Sequence, residues 1–325
     1  MKILYAVQRT GNGHLARAQD IIPILKKYAK VDVLASGSQA QIKPEFPIRY
    51  SYEGLSLFYD KDGALSYLKI FFKNKLVTFI KNVLEVPVKE YDLIINDFEP
   101  VTAWACHLRG GNIISLSHQS SLWFTETPQP EKTGTLARFI IRFYAPIKEK
   151  YAFHFQSYHP KIFTPVIRKK IRELQPCSGE DYLVYLPAFS NENLARVLKP
   201  IEVQWKIFSK YNKKEYQDEN CQFIPIDEGV FLKTLESCKG VLCGAGFELP
   251  SEALFLNKKL FVIPIKKQLE QEYNAKALEL MGIPTSEDLD YEKIESWVKN
   301  DAHIKVDYPD NTEEIIRKII NLKTV

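Results

Sequence analysis

A histidine preceded by a glycine follows the first apolar segment of the chain. Residues 2–7 are typical of a buried strand, and the helix-period segment 15–28 comes directly after Gly13 and His14. Gly13 lets the backbone approach a ligand closely, and the start of a helix directs amide N–H groups toward it. A histidine at the carboxyl end of a strand is well placed to remove a proton near neutral pH. The same histidine could instead cap the turn, and the loop alone leaves both roles open.

Two carboxylates and a second histidine follow later apolar runs of the same half of the chain. Asp97 and Glu99 come after one run, and His118 comes after the next. Ligands of open α/β sheets bind beyond the carboxyl ends of the strands, so we expect these side chains to converge with His14. A carboxylate bonded to His14 would orient the imidazole and stabilise its cation. Either Asp97 or Glu99 could supply it, and the other could cap the following helix.

A glycine-containing turn in the second half of the chain is suited to an anion. The apolar run that ends at residue 243 is followed by Gly244, Ala245 and Gly246, and Pro250 marks the first turn of a helix. Such a turn presents backbone N–H groups and the positive end of the helix dipole, which suits a diphosphate. Glu252, one turn into the helix, could bind the diol of a ribose.

A carboxylate and an amide follow the next strand. Glu270 and Gln271 come after the apolar run 260–264 and are predicted at a junction between a loop and a helix. The hydroxyl groups of a sugar can donate to the carboxylate of Glu270, and they can both donate to and accept from the side-chain amide of Gln271. The alternative is a glycine turn and a polar helix start without a ligand, and the spacing across both segments favours the ligand site.

Alternating strands and helices must position these residues. Continuous apolar runs separated by helix-period segments are typical of parallel sheets covered on both faces. The runs fall into two groups, before about residue 116 and after about residue 182, with several prolines between them. We therefore predict an α/β protein with two Rossmann-like domains facing a cleft, the N-terminal domain over residues 1–165 and the C-terminal domain over 166–325.

Together, these motifs resemble those of GT-B glycosyltransferases. They are similar to the plant and bacterial nucleotide-sugar-dependent enzymes and to the peptidoglycan N-acetylglucosaminyltransferase. In these families a glycine is followed six residues later by a ribose-binding glutamate, and the motif D/E-Q-x-x-N-A follows the next strand. Gly246 and Glu252 have the first spacing, and the sequence EQEYNA at 270–275 matches the second motif.

The resemblance implies a role for each residue of the C-terminal motifs. Glu252 would hold the ribose of a nucleotide sugar, and Glu270 with Gln271 would hold the donor sugar. The turn Gly244–Gly246 would take the diphosphate, and Ile226 occupies the position whose backbone contacts the base. The N-terminal domain would then bind the acceptor.

The N-terminal motifs imply the chemistry. The related families carry a Gly-His after the first strand, matched by Gly13 and His14, and the plant-type members add an aspartate, matched by Asp97. The resemblance implies transfer of a sugar from a nucleoside diphosphate sugar, a UDP-sugar, to an acceptor hydroxyl. His14 would be the base and Asp97 its partner, with inversion, no metal and no cofactor beyond the donor. Gly13, Glu99 and His118 are the candidates for acceptor contact.

Two other functions fit the same motifs. A nucleotide-sugar epimerase of this fold would need the donor alone. A non-catalytic nucleotide-sugar-binding subunit would keep Glu252 and Gln271 but would not need His14.

Composition narrows the function classes further. The 325 residues are 45% hydrophobic and 26% charged, as in ordinary globular proteins. The net charge of +4 lacks the strong excess of a dedicated nucleic-acid binder. No stretch has the ~18 consecutive apolar residues of a membrane span.

The five cysteines form no C-x-x-C pair, so we expect free thiols in a cytoplasmic protein. D-x-D matches at 60–62 and 288–290 lie in polar stretches, and we expect no metal there.

Two stretches are both basic and apolar. Residues 67–81 and 136–144 contain lysines or arginines among large apolar side chains and no acidic residue. Such helices can lie in a membrane interface, so we expect peripheral contact with the inner face of a membrane, where a lipid-linked or glycan acceptor could be reached. The alternative is a pair of core helices with solvated basic faces.

Overall fold

The computed structural model describes residues 1–9, 12–37, 44–55, 74–131, 135–177 and 179–324. The chain divides into two compact units. The first comprises Met1–Thr127, Glu131–Arg168 and Pro309–Val325, and the second comprises Pro128–Pro130 and Lys169–Tyr308.

Strands and helices alternate along most of the described chain. The strands are β1 (Lys2–Gln8), β2 (Lys30–Ser36), β3 (Tyr50–Tyr52), β4 (Leu93–Asp97), β5 (Ile113–Ser117), β6 (Lys150–Phe153), β7 (Ile162–Phe163), β8 (Tyr182–Tyr185), β9 (Trp205–Ser209), β10 (Tyr216–Asp218), β11 (Cys221–Pro225), β12 (Gly240–Gly244) and β13 (Lys259–Ile263). The α-helices are α1 (Asn12–Tyr28), α2 (Leu76–Glu85), α3 (Pro100–Arg109), α4 (Thr135–Tyr144), α5 (Lys169–Arg172), α6 (Asn191–Leu198), α7 (Glu228–Ser237), α8 (Glu248–Phe255), α9 (Leu269–Leu280), α10 (Tyr291–Lys299) and α11 (Thr312–Thr324). Short 3-10 helices cover Val88–Glu90 and Gln119–Trp123.

The first unit is built on a parallel sheet. Within the described residues its strand order is β3-β2-β1-β4-β5-β6-β7, and the pairs are all parallel. The central strands are apolar and buried on both faces because helices cover the sheet on both sides, as the continuous apolar runs predict. The chain leaves β1 toward β2 and returns to pair β4 on the other side of β1. The carboxyl ends of β1 and β4 therefore flank the topological switch point, where doubly wound sheets bind ligands.

The second unit repeats this arrangement. Its described strand order is β10-β11-β9-β8-β12-β13, parallel except for the antiparallel pair β10 and β11. Here the switch point lies between β8 and β12, so the loop after Gly244 leaves the sheet at the position where a ligand is expected. The core of this unit contains Trp205, Phe261 and Trp297, each at most 5% exposed.

The C-terminal helix belongs to the first unit, whereas the sequence places residues 166–325 in one domain. α11 packs against α1, and its isoleucines 315, 316, 319 and 320 are buried. At the end of α1, the Lys27 Nζ and the Tyr28 hydroxyl each donate to the Glu313 carboxylate at 2.6 Å. An amphipathic helix at a chain end can cover either sheet, and its own pattern does not indicate which one.

Two further properties of the described chain concern its helices and its cysteines. No described helix is both long and apolar enough to cross a membrane. The five cysteines are free, and Cys177 is the exposed one.

Candidate active site

His14 and Asp97 are brought together by the pairing of their strands. α1 begins at Asn12, so His14 lies in its first turn directly after β1. Asp97 ends β4, and its Cα pairs with that of Val7 in β1. The His14 Nδ1 lies 2.8 Å from Oδ1 of Asp97. His14 is 9% exposed and Asp97 is fully buried, so this hydrogen bond lies in the interior of the unit at the switch point.

A buried arginine completes the cluster. Arg17 Nη2 donates to both oxygens of Asp97 at 2.9 and 3.0 Å, and Arg17 Nε donates to Oδ2 at 3.2 Å. The Tyr5 hydroxyl lies 3.4 Å from the same Oδ2. Burial would raise the pKa of Asp97, but the charges of Arg17 and His14 and their hydrogen bonds hold this pKa below its usual range. Asp97 is therefore a carboxylate at neutral pH.

The charge of Asp97 fixes the proton on the histidine ring. A carboxylate only accepts hydrogen bonds, so Nδ1 of His14 carries the proton and Nε2 carries the lone pair. Gln119 Nε2 lies 3.4 Å from that Nε2 atom. In this tautomer His14 can accept a proton at Nε2 while Asp97 stabilises the resulting cation.

The sequence did not identify Arg17 or Gln119. Arg17 lies three residues after His14, and that spacing places both on one face of α1. This spacing was the available signal, but Asp20 lies three residues after Arg17 in the same helix, so the sequence did not point to Asp97 as its partner. Gln119 begins the 3-10 helix after β5, and its nearness to His14 depends on the order of strands in the sheet.

Glu99 is a helix cap, so the expectation that it contacts an acceptor is corrected. Oε1 accepts from the Ser36 hydroxyl and the Val101 N–H, both at 2.7 Å. Oε2 accepts from the Thr102 N–H at 2.7 Å and the Thr102 hydroxyl at 2.6 Å. The Glu99 carboxyl is fully buried. Burial raises its pKa above the usual value, although the hydrogen bonds to Thr102, Ser36 and Val101 act in the opposite direction. Of the two carboxylates, Asp97 is the partner of His14.

The residue between the two carboxylates explains their separate roles. Phe98 has a φ of 57°, a left-handed conformation that is uncommon for a bulky side chain. This turn directs Asp97 toward α1 and Glu99 toward the start of α3. The Phe98 ring lies nearly parallel to the His14 ring, with centroids 6.4 Å apart, and stacks on Tyr144 at 4.8 Å.

His118 is a core residue in the structure, which corrects its expected contact with an acceptor. It is 1% exposed, and Nδ1 donates to the Phe153 carbonyl at 3.0 Å. Its ring centroid lies 5.3 Å from that of His154. Burial, and then the nearby charge of His118, lower the pKa of His154 well below its usual value.

The glycine turn of the second unit has open space beside it. An added Cβ at Gly246 would meet no heavy atom within 4 Å, and neither Gly244 nor Gly246 has a positive φ. Neither backbone conformation nor crowding therefore requires a glycine at position 246. Ala245 is buried, and its carbonyl accepts from Asn274 Nδ2 at 3.0 Å, which attaches the turn to α9.

The other predicted donor residues lie on the same unit. Gln271 Oε1 accepts from the Ile265 N–H at 2.9 Å and lies 3.6 Å from the Cβ position of Gly244. Glu270 is half-buried in the first turn of α9, and Glu252 is 3% exposed in α8. Ile226 follows β11 and is 43% exposed. The structure thus brings Gln271 to the glycine turn.

The D-x-D residues in the described chain have structural partners. Asp288 forms an ion pair with Lys266 at 2.7 Å, and Asp290 caps α10 by accepting from the Lys293 N–H. The match at 60–62 lies outside the described residues.

Comparison with known proteins identifies the family. A model of glycosyl transferase family 1 matches residues 1–301. The chain belongs to this family. No curated protein is similar enough in sequence to count as a match.

Three solved structures share the fold of this glycosyltransferase. Phytolacca americana UGT2, complexed with UDP-2fluoro-glucose and pterostilbene, is 12% identical with a TM-score of 0.59, over 98% of this chain and 94% of its own. Arabidopsis thaliana UGT89C1, complexed with quercetin, is 14% identical with a TM-score of 0.60, over 99% and 90%. Acinetobacter baumannii MurG is 14% identical with a TM-score of 0.58, over 99% and 100%. With the two parallel sheets, these likenesses confirm the GT-B fold.

Proposed function

We propose that this glycosyltransferase moves a sugar from a nucleoside diphosphate sugar, with UDP as the nucleotide, to an acceptor hydroxyl. Transfer inverts the anomeric carbon and needs no metal ion. The observation that carries the proposal is His14, whose Nδ1 is held by a buried carboxylate while Nε2 has the lone pair.

His14 is the general base in this proposal. Nε2 takes the proton of the acceptor hydroxyl as its oxygen attacks the anomeric carbon, and the bond from that carbon to the diphosphate oxygen breaks. The diphosphate leaves with the electron pair. The attack comes from the side opposite the leaving group, so a single displacement inverts the centre. Asp97 stabilises the imidazolium that forms.

The donor site is proposed at the switch point of the second unit. The space beside Gly246 would take the diphosphate, with backbone N–H groups and the positive end of α8 stabilising its charge. These groups supply the positive potential that a metal ion supplies in other transferases. Gln271, beside Gly244, would contact the sugar, Glu252 the ribose and Ile226 the base, with Glu270 as a second sugar contact.

Ligand screening tests the donor. A thermal-shift series with UDP, TDP, GDP and ADP is expected to show the largest increase in melting temperature with UDP, because a ligand of the native state stabilises it. Glu252→Ala is expected to weaken UDP binding at least tenfold by calorimetry. If no nucleotide shifts the melting temperature, or if Glu252→Ala binds UDP like the wild type, the donor assignment is wrong.

Product analysis tests the reaction. With a donor and an acceptor hydroxyl, the anomeric proton coupling in the product is expected to report inversion, and turnover is expected to persist in excess EDTA. The epimerase alternative would convert the donor sugar without any acceptor, and the binding-subunit alternative would show no turnover. Membership of the glycosyltransferase family favours transfer over both.

We also propose that the first unit contacts an anionic lipid surface. The apolar patch on this unit comprises Val77, Ile80 and Leu84 of α2, Leu108 of α3, and Phe139 and Phe143 of α4. Each of these side chains is at least 43% exposed, and Val77 is 84% exposed. Monomeric proteins seldom expose such a concentration of large apolar side chains without a partner.

α3 connects the two helices of the apolar patch. Its Arg109 donates to the Leu84 carbonyl at 2.8 Å, and its Trp104 indole donates to the Phe143 carbonyl at 3.0 Å. Arg138 and Arg142 on α4 accompany the patch, which suits acidic headgroups, and Lys81 on α2 forms an ion pair with Glu85 at 3.7 Å. Residues 67–73 of the first predicted stretch lie outside the described residues.

Vesicle flotation tests the lipid contact. The protein is expected to float with phosphatidylglycerol vesicles in low salt, less in high salt, and little after Val77→Ser, Ile80→Ser and Phe139→Ser together. Leu280→Ser is the matched control, since Leu280 is 65% exposed on the other unit. The proposal would be contradicted if the fraction of protein that floats with the vesicles did not change with salt concentration or with the triple substitution.

A further inference from the structure

The proposed reaction gives His14 and Asp97 roles but does not account for Arg17. A buried arginine is costly to desolvate and is retained in interiors only with close partners. Arg17 is 2% exposed and donates three hydrogen bonds to one carboxylate, two from Nη2 and one from Nε. Donation from two separate nitrogens fixes the plane of the carboxylate, which a lysine could not do.

Arg17 also lies against the histidine itself. Its Nη2 is 3.3 Å from Nδ1 of His14. Because Nδ1 carries the proton that it donates to Asp97, this contact joins two donors. Arg17 therefore places a fixed positive charge beside a ring that becomes cationic when it takes a proton.

We propose that Arg17 is a positioning residue with two effects on His14. It fixes Asp97 in the orientation that accepts from Nδ1, and its charge limits the proton affinity that Asp97 would otherwise give the imidazole. This inference rests on the proposed role of His14 as the base. With Asp97 and Arg17 summing to zero charge, His14 faces a dipole rather than a bare carboxylate.

Within the described residues, groups from several neighbouring elements face this cluster. Tyr5 of β1 donates to Asp97 Oδ2, and Gln119 approaches Nε2 from the segment after β5. Phe98 lies over the His14 ring, and the Phe153 ring of β6 lies 5.6 Å from the Arg17 guanidinium. Among these groups the charge of Arg17 is the one that opposes protonation of His14.

A proton titration measures the charge effect directly. The full-length protein with 13C-labelled histidine is titrated by NMR, and His14→Gln assigns the His14 signal. In Arg17→Gln we expect the His14 midpoint to rise by about one pH unit, a tenfold gain in proton affinity. In Asp97→Asn we expect it to fall. An unchanged midpoint in an Arg17→Gln protein that circular dichroism shows to be folded would overturn the charge effect.

The conservative variant measures the positioning effect and remains informative if Arg17→Gln does not fold. Arg17→Lys keeps the positive charge but loses the paired donors Nη2 and Nε that hold the Asp97 carboxylate. The His14 midpoint should therefore stay within ~0.5 pH unit of the wild type. Its kcat should fall about tenfold with the donor KM unchanged. A wild-type kcat, or a midpoint that moves by a full unit, contradicts the proposal.

The two proposals fail in different ways. If His14→Ala keeps wild-type turnover, the base assignment fails, while the NMR midpoints still report the effect of Arg17 on the ring. If His14→Ala is inactive and Arg17→Gln does not shift the His14 midpoint, only the inference about Arg17 fails.

Discussion

At the scale of single residues, the polar cluster at the end of β1 has one atom suited to receive a proton, Nε2 of His14. His14→Ala should lower kcat by roughly 10²–10⁴-fold, the usual contribution of a positioned base, because no other described group replaces this atom. UDP affinity should change little, since the donor residues lie on the second unit. Steady-state kinetics and calorimetry separate the two effects.

His107→Ala is the matched control for this variant, because His107 is exposed on α3 and takes no part in the cluster. It should keep wild-type turnover. Equal losses of turnover and donor affinity in His14→Ala would indicate a binding role for this histidine instead.

Gly246 offers a test of the donor site with little structural cost. Gly246→Ala places a methyl group where the protein has open space, in a backbone conformation that alanine can adopt. The melting temperature should therefore change little. Affinity for UDP should fall tenfold or more, because the methyl group would occupy the space proposed for the diphosphate.

A second glycine provides the control for Gly246→Ala. Gly229 lies in α7, and its added Cβ would come no closer than 3.4 Å to Asp227 Oδ1. Gly229→Ala should leave UDP affinity unchanged. If Gly246→Ala binds UDP with wild-type affinity, the diphosphate does not bind beside this turn.

The sequence predicted part of the candidate site for a definite physical reason. His14 and Asp97 end strands, and residues at the carboxyl ends of parallel strands can be expected to meet. It could not choose between Asp97 and Glu99, because that choice depends on the left-handed turn at Phe98. Arg17 was missed because a buried cation is recognised by its partner, and that partner lies 80 residues away.

At the scale of elements, Glu99 tests whether a strand-end carboxylate serves the fold or the substrate. Four donors converge on its two oxygens at the start of α3, including two backbone N–H groups. Glu99→Ala should lower the free energy of unfolding by about 2 kcal/mol or more, above a typical cap, because buried donors lose their acceptor. Urea unfolding measures this loss.

The substitution of Glu99 should leave the His14 titration midpoint in place, since Asp97 is the partner of that ring. Ser190→Ala is a control of ordinary size, because Ser190 caps α6 through one hydrogen bond to Asn193 N–H at 3.3 Å. If Glu99→Ala keeps wild-type stability but loses turnover, the result would support the original prediction that Glu99 contacts an acceptor.

At the scale of the whole molecule, the alternation of strands and helices predicted the two parallel sheets. The apolar runs that start at residues 2 and 182 are β1 and β8 in the structure. Strands such as β7 were missed because two residues, Ile162 and Phe163, carry no periodicity. Whether a terminal helix joins the first or the second unit is decided by tertiary packing, as α11 shows.

Because α11 belongs to the first unit, substitutions that weaken its packing should destabilise the first unit and not the second. Ile316 and Ile319 are fully buried where α11 packs on α1, and truncating each to alanine should cost about 2–5 kcal/mol. Hydrogen exchange should become faster in α1 and β2 and stay unchanged in α9, and UDP affinity should persist because the second unit keeps its own core. Leu322→Ser, on the same helix but 55% exposed, controls for surface effects. Faster exchange in α9 with an unchanged α1 would place the C-terminal helix with the second unit, as the sequence alone suggests.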